Sequence, residues 1–365
     1  MKQLALALLI GIALGGVVPE GAPIPLPGNA GAPHRTLTLP EQARFVRGRA
    51  LFDRDFLKSA GVGPVFNGDS CRACHVDPVI AGSGGRDVQV QRPQMSDGMG
   101  GFFPPAETGE LAQTHSVPSV AREEIPGTVA FVEERNSPTL LGLGLVQQVL
   151  DATILARQDP TDADGDGVRG IAHVLPGGRV GKLGWKANIP DLRGFLRDAM
   201  ANELGITVPP DATSPFGITS DGDPVQDPEL SAQDLEDLLF FMEVLDFPPK
   251  GAPQPAGEAL FASIGCAKCH VPVLDGVELF SDLLLHDVQP PGFVGVAQGA
   301  ATSGLYRTAP LRGLRDTGPY FHDGASETIE QAVRRHDGEA LAIRQAFEAL
   351  TPAERAALIA FLASL

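Results

Sequence analysis

The sequence predicts a mainly α-helical protein built from two similar halves. The pattern Cys-x-x-Cys-His occurs twice, at 71–75 and 266–270, and these two runs contain all four cysteines of the chain. Each run follows a segment that reads Gly-x-Ala-Leu-Phe, at 48–52 and 257–261. Each half also ends in apolar residues at helical spacing, whereas strand-like alternation is scarce. The predicted unit is therefore a helix, a cysteine loop and a closing helix, present twice.

Composition and charge exclude several functional classes. With 365 residues, 43% of them hydrophobic and 20% charged, the chain is globular and long enough for two domains of about 150 residues each. Its formal net charge is −17, which opposes binding to nucleic acids or to anionic membrane surfaces. We expect no nucleic-acid partner, and a charged macromolecular partner would have to be cationic.

The first 22 residues have the features of a secretory signal peptide. Lys2 is followed by an apolar run from Leu4 to Val18, which is too short to span a bilayer comfortably. A buried helix or an uncleaved anchor is the alternative. Residues 23–39 are rich in proline and glycine and are predicted to form a linker. We expect an exported, periplasmic protein that is not an integral membrane protein after processing.

Cys-x-x-Cys-His is typical of covalent c-type haem attachment, in which two thiols bind the porphyrin edge and the adjacent histidine binds the iron. A redox dithiol or a zinc site would leave the histidine unexplained. A disulfide within so short a loop would remove little chain entropy. We therefore predict two covalently bound haems c. The residues that hold them are Cys71, Cys74 and His75 for the first, and Cys266, Cys269 and His270 for the second.

Helix signals place the closing helices and, with them, the domain boundaries. Ser231 is a candidate N-cap for the apolar, helically spaced residues that follow it. Thr351 and Glu354 form a capping-box pattern around Pro352 at the start of the last helix. We predict two c-type cytochrome domains, at 40–248 and 249–365, and the first contains a long loop-rich insertion at about 76–230.

Further runs resemble a known family. The segments 307–314 (RTAPLRGL) and 319–324 (PYFHDG) are similar to the C-terminal half of bacterial di-haem cytochrome c peroxidases and MauG-like enzymes. The segments 135–139 (RNSPT), 184–187 (GWKA) and 336–340 (HDGEA) narrow the resemblance to the family described as di-haem oxidoreductase, putative peroxidase. The resemblance covers about residues 40–365.

The resemblance implies an enzyme that reduces hydrogen peroxide at the N-terminal haem with electrons delivered through the C-terminal haem. It places His336 as the sixth ligand of the second iron, with His286 as the competing candidate. It places Glu203 in the peroxide pocket, where a partly buried carboxylate with a raised pKa suits proton transfer. The first iron is expected to be open or weakly ligated, because Met95, Met99 and His115 are only weak candidates for its second axial ligand.

Two further features leave alternatives open. Trp185, the only tryptophan, either couples the two haems, as a tryptophan does in the related superfamily, or packs in the core. Asp162, Asp164 and Asp166 occupy every second position, as carboxylates do in a calcium-binding loop. The twelfth residue from Asp162, however, is His173 and not the glutamate of an EF-hand. The resemblance implies a structural calcium, whereas the alternative is a solvated acidic turn.

The expected partners follow from the same resemblance. Hydrogen peroxide is the expected substrate, and a small redox protein, a cytochrome c or a cupredoxin, is the expected electron donor. Two other functions remain: a MauG-like oxidase that modifies a partner protein, and a non-catalytic di-haem electron-transfer cytochrome. Glu203 and the long insertion favour an enzyme over an electron carrier.

Overall fold

The regular elements of the protein are mostly helices joined by long loops. The computed structural model describes residues 23–365, so the predicted signal peptide at 1–22 lies outside the described residues. The helices are α1 (Leu39–Asp53), α2 (Leu143–Val146), α3 (Asp151–Arg157), α4 (Leu192–Ala199), α5 (Ala232–Val244), α6 (Pro255–Ser263), α7 (Ile329–Arg335), α8 (Leu341–Ala349) and α9 (Pro352–Leu362). Helices supply most of the regular structure, as the sequence predicts, and short strands and long loops make up the rest.

The strands are short, and all of their pairings are antiparallel. They are β1 (Val65–Phe66), β2 (Val90–Ser96), β3 (Phe102–Phe103), β4 (His115–Ser116), β5 (Phe131–Arg135), β6 (Val273–Leu274), β7 (Val277–Glu278), β8 (Leu285–Asp287) and β9 (Leu305–Arg307). The strands β3, β2 and β5 form a three-stranded sheet, and the others pair as β1 with β4, β6 with β7 and β8 with β9. Residues 76–230 therefore contain a sheet and three helices besides their loops.

The two closing helices begin as the sequence predicts. The Ser231 hydroxyl accepts a hydrogen bond from the Asp234 backbone N–H at 3.1 Å and so caps α5. At α9, the Glu354 carboxylate accepts from the Thr351 backbone N–H, and the Thr351 hydroxyl accepts from the Glu354 N–H. Both N-cap predictions are confirmed.

The same helix crossing occurs in both halves and explains the repeated glycine. α1 packs against α5, and α6 packs against α9. A Cβ atom at Gly48 would lie 2.1 Å from the backbone oxygen of Asp237, and one at Gly257 would lie 2.1 Å from the backbone oxygen of Ala357. Because only glycine permits this approach, the Gly-x-Ala-Leu-Phe repeat encodes the contact between the helix before each cysteine loop and the closing helix.

The apolar core has two main parts. The larger one extends over helices α1 to α5 and also contains four leucines from the second half, Leu274, Leu279, Leu283 and Leu284. The smaller one joins α6, α8 and α9 and consists of Phe261, Phe280, Phe347, Leu358, Phe361, Leu362 and Leu365. The two halves thus pack on each other through shared leucines, and the domain boundary at 248/249 stays a prediction. In the described part of the chain, no helix combines the length and apolarity that a bilayer crossing requires.

Candidate functional site

A single cavity of about 440 Å³ contacts both Cys-x-x-Cys-His loops. Cys74 and His75 line it, and so do Cys269 and His270. Each loop begins with a 3-10 turn, at Cys71–Ala73 and Cys266–Lys268. The fold therefore brings the two repeated motifs to one shared space.

The two motif histidines are prepared to bind a metal through Nε2. The Nδ1 atom of His75 lies 3.2 Å from the backbone oxygen of Gly82, and that of His270 lies 3.0 Å from the backbone oxygen of Phe280. Because a carbonyl oxygen can only accept, Nδ1 carries the hydrogen and Nε2 keeps its lone pair. Burial lowers the pKa of both imidazoles to about 4, so they are neutral at pH 7. Both histidines thus have the protonation state of a haem ligand.

His336 faces His270 across the cavity. It caps the C-terminus of α7, and its Nδ1 donates to the backbone oxygen of Ala332 at 2.8 Å, which again leaves Nε2 free. The ring centroids of His270 and His336 are 6.5 Å apart. This is close to the separation expected when one metal lies between two imidazoles with bonds of roughly 2 Å to each. The pair therefore fits a haem iron with two axial histidines.

His286, the competing ligand, is engaged elsewhere. Its Nε2 lies 2.9 Å from Asp282 Oδ2, and its Nδ1 lies 3.1 Å from Glu339 Oε2. Burial alone would lower the pKa of His286, but the hydrogen bonds to Asp282, Cys269 and Glu339 raise it well above its usual value. A protonated imidazole between two carboxylates has no lone pair for iron. Its contact with Glu339 instead anchors the segment that follows His336.

The four cysteines are unpaired thiols. Burial raises the pKa of Cys71 to about 12 and that of Cys266 to about 12. A dithiol that cycles through a thiolate requires the opposite shift, so these pairs do not have the electrostatic environment of a redox dithiol. Apolar, thiol-bearing walls and neutral histidines fit a pair of haems.

Glu203 lies on the cavity wall near the first motif. It belongs to a π-helical turn, Met200–Leu204, which follows α4; such turns often occur at functional sites. Asn67 holds it from two sides: the Asn67 side chain donates to Glu203 Oε2 at 3.1 Å, and the Asn67 N–H donates to the Glu203 backbone oxygen at 2.7 Å. Burial raises the pKa of Glu203, against the opposing effects of Asn67 and Arg92. The direction of this shift agrees with the sequence-based expectation.

Arg92 is a cavity residue that sequence reasoning missed. It lies on β2, and its Nη1 donates to the backbone oxygen of Glu110 at 3.3 Å, while its buried Nε has no hydrogen-bond partner. Its positive charge lowers the pKa of Glu203 and of Asp198, which also line the cavity. No sequence motif indicates Arg92, because it lies far from Glu203 in the chain and the two residues come together only in the folded protein.

The three residues that the sequence offers as weak candidate ligands of the first iron lie apart from the cavity wall. Met99 is 89% exposed, and His115 stacks on Phe66 at 5.5 Å between ring centroids. Met95 accepts a hydrogen bond from Thr128 at 3.8 Å. None of the three lines the cavity that His75 faces.

Trp185 lines the same cavity as the two motifs. Its indole N–H donates to the backbone oxygen of Asn136 at 2.9 Å, and its own backbone oxygen accepts from the Arg307 N–H at 2.8 Å. The side chain is only half-buried and does not belong to the packed core clusters. Coupling of the two haems by Trp185 stays a prediction.

A buried polar cluster lies beside Trp185 and was also missed by sequence reasoning. The Tyr306 hydroxyl donates to Glu133 Oε1 at 3.1 Å, and its ring stacks on His322 with a centroid distance of 4.0 Å. The Nζ of Lys186 lies 3.6 Å from the Tyr306 ring centroid and donates to three backbone oxygens. Burial lowers the pKa of Lys186 to about 7. His322 is therefore part of this buried cluster.

The acidic loop around Asp162 is only partly arranged as a cation site. Asp159, Asp162 and Asp164 bring one carboxylate oxygen each within 4.8 Å of one another. Asp166 instead pairs with Lys268 at 3.1 Å. The three clustered residues also accept hydrogen bonds from backbone N–H groups of the loop itself. Calcium binding by this loop stays a prediction.

Comparison with known proteins identifies the family. Residues 127–365 match the family described as "Di-haem oxidoreductase, putative peroxidase", and this match covers more than half of the chain. The chain belongs to this family and is a di-haem redox enzyme. The resemblance inferred from the sequence is confirmed. The matched residues include the second Cys-x-x-Cys-His motif, Trp185, Glu203 and His336, whereas the first motif lies before them.

Two solved structures are similar over most of the chain. Hydrazine synthase from Kuenenia stuttgartiensis shares 16% identity with a TM-score of 0.44, covering 100% of both chains. A MauG-like protein associated with microbial copper homeostasis shares 18% identity with a TM-score of 0.43, covering 93% of this chain and 94% of that one. No curated protein sequence matches the chain. At these TM-scores, the structural similarities contribute nothing to the functional argument.

Proposed function

We propose that this protein is an exported di-haem c-type oxidoreductase that reduces hydrogen peroxide at its N-terminal haem with electrons delivered through its C-terminal haem. The observation that carries the proposal is the difference between the surroundings of the two motif histidines. Within residues 23–365, the facing histidine pair is found at the second motif, where His270 and His336 are 6.5 Å apart. At the first motif, His75 shares the cavity with Glu203 and Arg92 instead.

This asymmetry suits a division of labour. His270 and His336 would both bind the iron of the second haem, which would then serve electron transfer. His75 alone would bind the iron of the first haem, which would leave that haem able to take a substrate oxygen. Trp185, which lines the same cavity as both motifs, is the side chain that we propose to couple them.

The residues near His75 supply the acid–base chemistry. When bound, the haem would supply an iron that holds the peroxide and passes electrons from the donor to it. Glu203 Oε1, the carboxylate oxygen that Asn67 does not hold, is free to take a proton from one peroxide oxygen and return it to the other. The unpartnered Nε of Arg92 is free to donate to an oxygen that gains negative charge. With two electrons and two protons, hydrogen peroxide becomes two molecules of water.

The proposal also covers how the haems are attached, where the protein is located and which kind of protein donates the electrons. The four unpaired thiols and the adjacent neutral histidines support covalent thioether attachment of both haems. The sequence of residues 1–22 supports export to the periplasm. A small redox protein, a cytochrome c or a cupredoxin, would deliver the electrons. The net charge of −17 favours a donor with a cationic docking face.

Turnover with a reduced donor tests the proposal and its competitors. We expect Glu203→Gln to lower peroxide turnover by about 10²–10⁴-fold while both haem spectra stay unchanged. Glu107→Gln is the matched control, because Glu107 is exposed and does not line the cavity. Oxidation of two equivalents of donor per peroxide supports the peroxidase. Peroxide consumption coupled to two-electron oxidation of an added partner protein, without donor oxidation, supports a MauG-like oxidase. No consumption supports the electron-transfer cytochrome.

A further inference from the structure

The two tyrosines of the chain, Tyr306 and Tyr320, both line the cavity shared by the Cys-x-x-Cys-His motifs, but their hydroxyl groups have different partners. The Tyr306 hydroxyl donates to Glu133 Oε1 at 3.1 Å. The Tyr320 hydroxyl donates to the backbone oxygen of Leu314 at 2.9 Å. A carboxylate can take up a proton, whereas a backbone carbonyl oxygen accepts only a hydrogen bond. Of the two tyrosines, Tyr306 is therefore the one whose partner can accept its proton.

Glu133 is a buried and firmly held carboxylate. It lies on β5, is 6% exposed and does not line the cavity that Tyr306 lines. Its Oε1 pairs with Arg135 Nε at 2.5 Å, and its Oε2 accepts a hydrogen bond from the Val296 N–H. Burial alone would raise the pKa of Glu133, but Arg135 and the hydrogen bonds lower it. The proton acceptor is therefore an anion at pH 7 and is already in position beside the phenol.

The charges around Tyr306 oppose the loss of an electron alone. The Nζ of Lys186 donates to three backbone oxygens, as an ammonium does, and lies 3.6 Å from the Tyr306 ring centroid. Burial and the negative charge of Glu133 raise the pKa of Tyr306, so the hydroxyl keeps its proton at pH 7. A ring that lost an electron and kept this proton would carry a positive charge beside the ammonium, which is unfavourable. Transfer of the proton to Glu133 leaves the ring neutral, so the surroundings favour loss of the electron and the proton together.

Tyr306 also lies next to the residue that we propose to couple the haems. The backbone N–H of Arg307 donates to the backbone oxygen of Trp185 at 2.8 Å, and Lys186, which follows Trp185, contacts the Tyr306 ring. The Tyr306 ring stacks on His322 with a centroid distance of 4.0 Å, which fixes its orientation. Both aromatic residues line the cavity, so each lies close to cofactors bound there.

We propose that Tyr306 is a redox-active residue that holds one oxidising equivalent of hydrogen peroxide when the electron donor is absent. Tyr306 loses one electron to the peroxide-oxidised haems, and its O–H bond breaks as the proton moves to Glu133 Oε1. The products are a neutral tyrosyl radical and a protonated Glu133, and the second oxidising equivalent stays with the haems. When the donor supplies an electron, the radical takes it and the proton returns from Glu133. The inference rests on the proposed peroxide reduction, because peroxide is the oxidant.

The test is EPR spectroscopy of the haem-loaded protein, frozen rapidly after hydrogen peroxide is added without a donor. The fully oxidised and the one-electron-reduced states are both tested, and the haem absorption shows whether peroxide has reacted. Protein that contains ring-deuterated tyrosine is compared with unlabelled protein, because deuterium narrows the spectrum of a tyrosyl radical and leaves that of a Trp185 radical unchanged. We expect a radical signal in the wild type that narrows on labelling.

Three variants assign the radical. We expect Tyr306→Phe to lose the signal, because phenylalanine has no phenolic proton to give up. Tyr320→Phe is the matched control and should keep the signal, since Tyr320 lines the same cavity without a carboxylate partner. Glu133→Gln should lower the radical yield at least about tenfold, because it removes the proton acceptor.

Several outcomes would overturn the proposal. A signal that persists in Tyr306→Phe is one, and a signal that disappears in Tyr320→Phe is another. Absence of a tyrosyl signal although the haem absorption has changed would overturn this inference and leave the proposed peroxide reduction standing, whereas unchanged haem absorption in both states would overturn both.

The assignment does not depend on one variant. Unchanged haem spectra before peroxide is added show that a variant is folded. If Tyr306→Phe does not fold, the labelled wild type and Tyr320→Phe still decide the question, because the chain contains two tyrosines. A signal that narrows on labelling and persists in Tyr320→Phe then belongs to Tyr306.

Discussion

Replacing Gly257 by alanine tests the helix crossing on which both halves depend. The new Cβ would lie 2.1 Å from the backbone oxygen of Ala357 and 2.5 Å from the Cβ of Phe361. To reach an ordinary contact of 3.4 Å, α6 and α9 must separate by about 1.3 Å. Neither obstacle is the flexible end of a side chain, so local rotation cannot relieve the contact.

Two opposing terms set the magnitude. Overpacking of this kind costs about 2–3 kcal/mol. Alanine in a helix interior is favoured over glycine by about 1 kcal/mol, which offsets part of that cost. We expect Gly257→Ala to lower the free energy of unfolding by about 1–2 kcal/mol net. In a protein of 365 residues, the corresponding loss in melting temperature is about 1–3 °C.

Thermal unfolding followed by circular dichroism at a fixed scan rate measures this difference. The control is Glu258→Ala, an adjacent and exposed position in the same helix, which should change stability by less than about 0.5 kcal/mol. Gly48→Ala should behave like Gly257→Ala, because its Cβ meets the backbone of α5 at the same distance. A Gly257→Ala protein at least as stable as the wild type would refute the close crossing.

Three further predictions follow from the site and the core. Replacing His336 by alanine should convert the second iron from low-spin to high-spin in the EPR spectrum; an unchanged low-spin signal would remove His336 as a ligand. Replacing Arg92 by leucine should raise the pKa of Glu203, so the part of the pH–rate profile that Glu203 governs should move to higher pH. An unchanged profile would show that Arg92 does not act on Glu203. Burial would raise the pKa of Asp237, but the hydrogen bonds from Arg47 and Arg44 hold that pKa below its usual value. Ionised Asp237 therefore stabilises the folded protein above its unfolded-state pKa. This stabilisation is lost as the pH falls through the lowered folded-state pKa. Asp237→Asn should therefore destabilise the protein at pH 7 and lose its effect in acid, as measured by urea unfolding at both pH values.

Local patterns predicted the parts of the molecule that depend on short-range chemistry. The N-caps at Ser231 and Thr351 are satisfied by groups three residues away, so their sequence alone is sufficient. The Cys-x-x-Cys-His motifs and the family resemblance likewise rest on contiguous residues. The position of Glu203 beside the first motif was accessible only through that resemblance.

Long-range packing determined what the sequence could not indicate. The strand β2 reads VQRPQMS, which has no apolar alternation and contains a proline, so neither the strand nor the approach of Arg92 to Glu203 was predicted. Lys268 lies far from Asp166 in the chain, yet it pairs with that carboxylate and changes the predicted calcium loop. The facing of His270 and His336 joins residues far apart in the chain and, like the position of Glu203, was accessible only through the family resemblance.

EPR spectroscopy of the haem-loaded protein with and without hydrogen peroxide tests the central claim most directly. Spectra are recorded for the fully oxidised and the one-electron-reduced states, before and after peroxide is added. The account predicts one low-spin iron with two axial histidines and one iron that is high-spin in at least one of the two states and changes on addition of peroxide. Two low-spin irons that do not respond to peroxide in either state would contradict it and identify an electron-transfer protein.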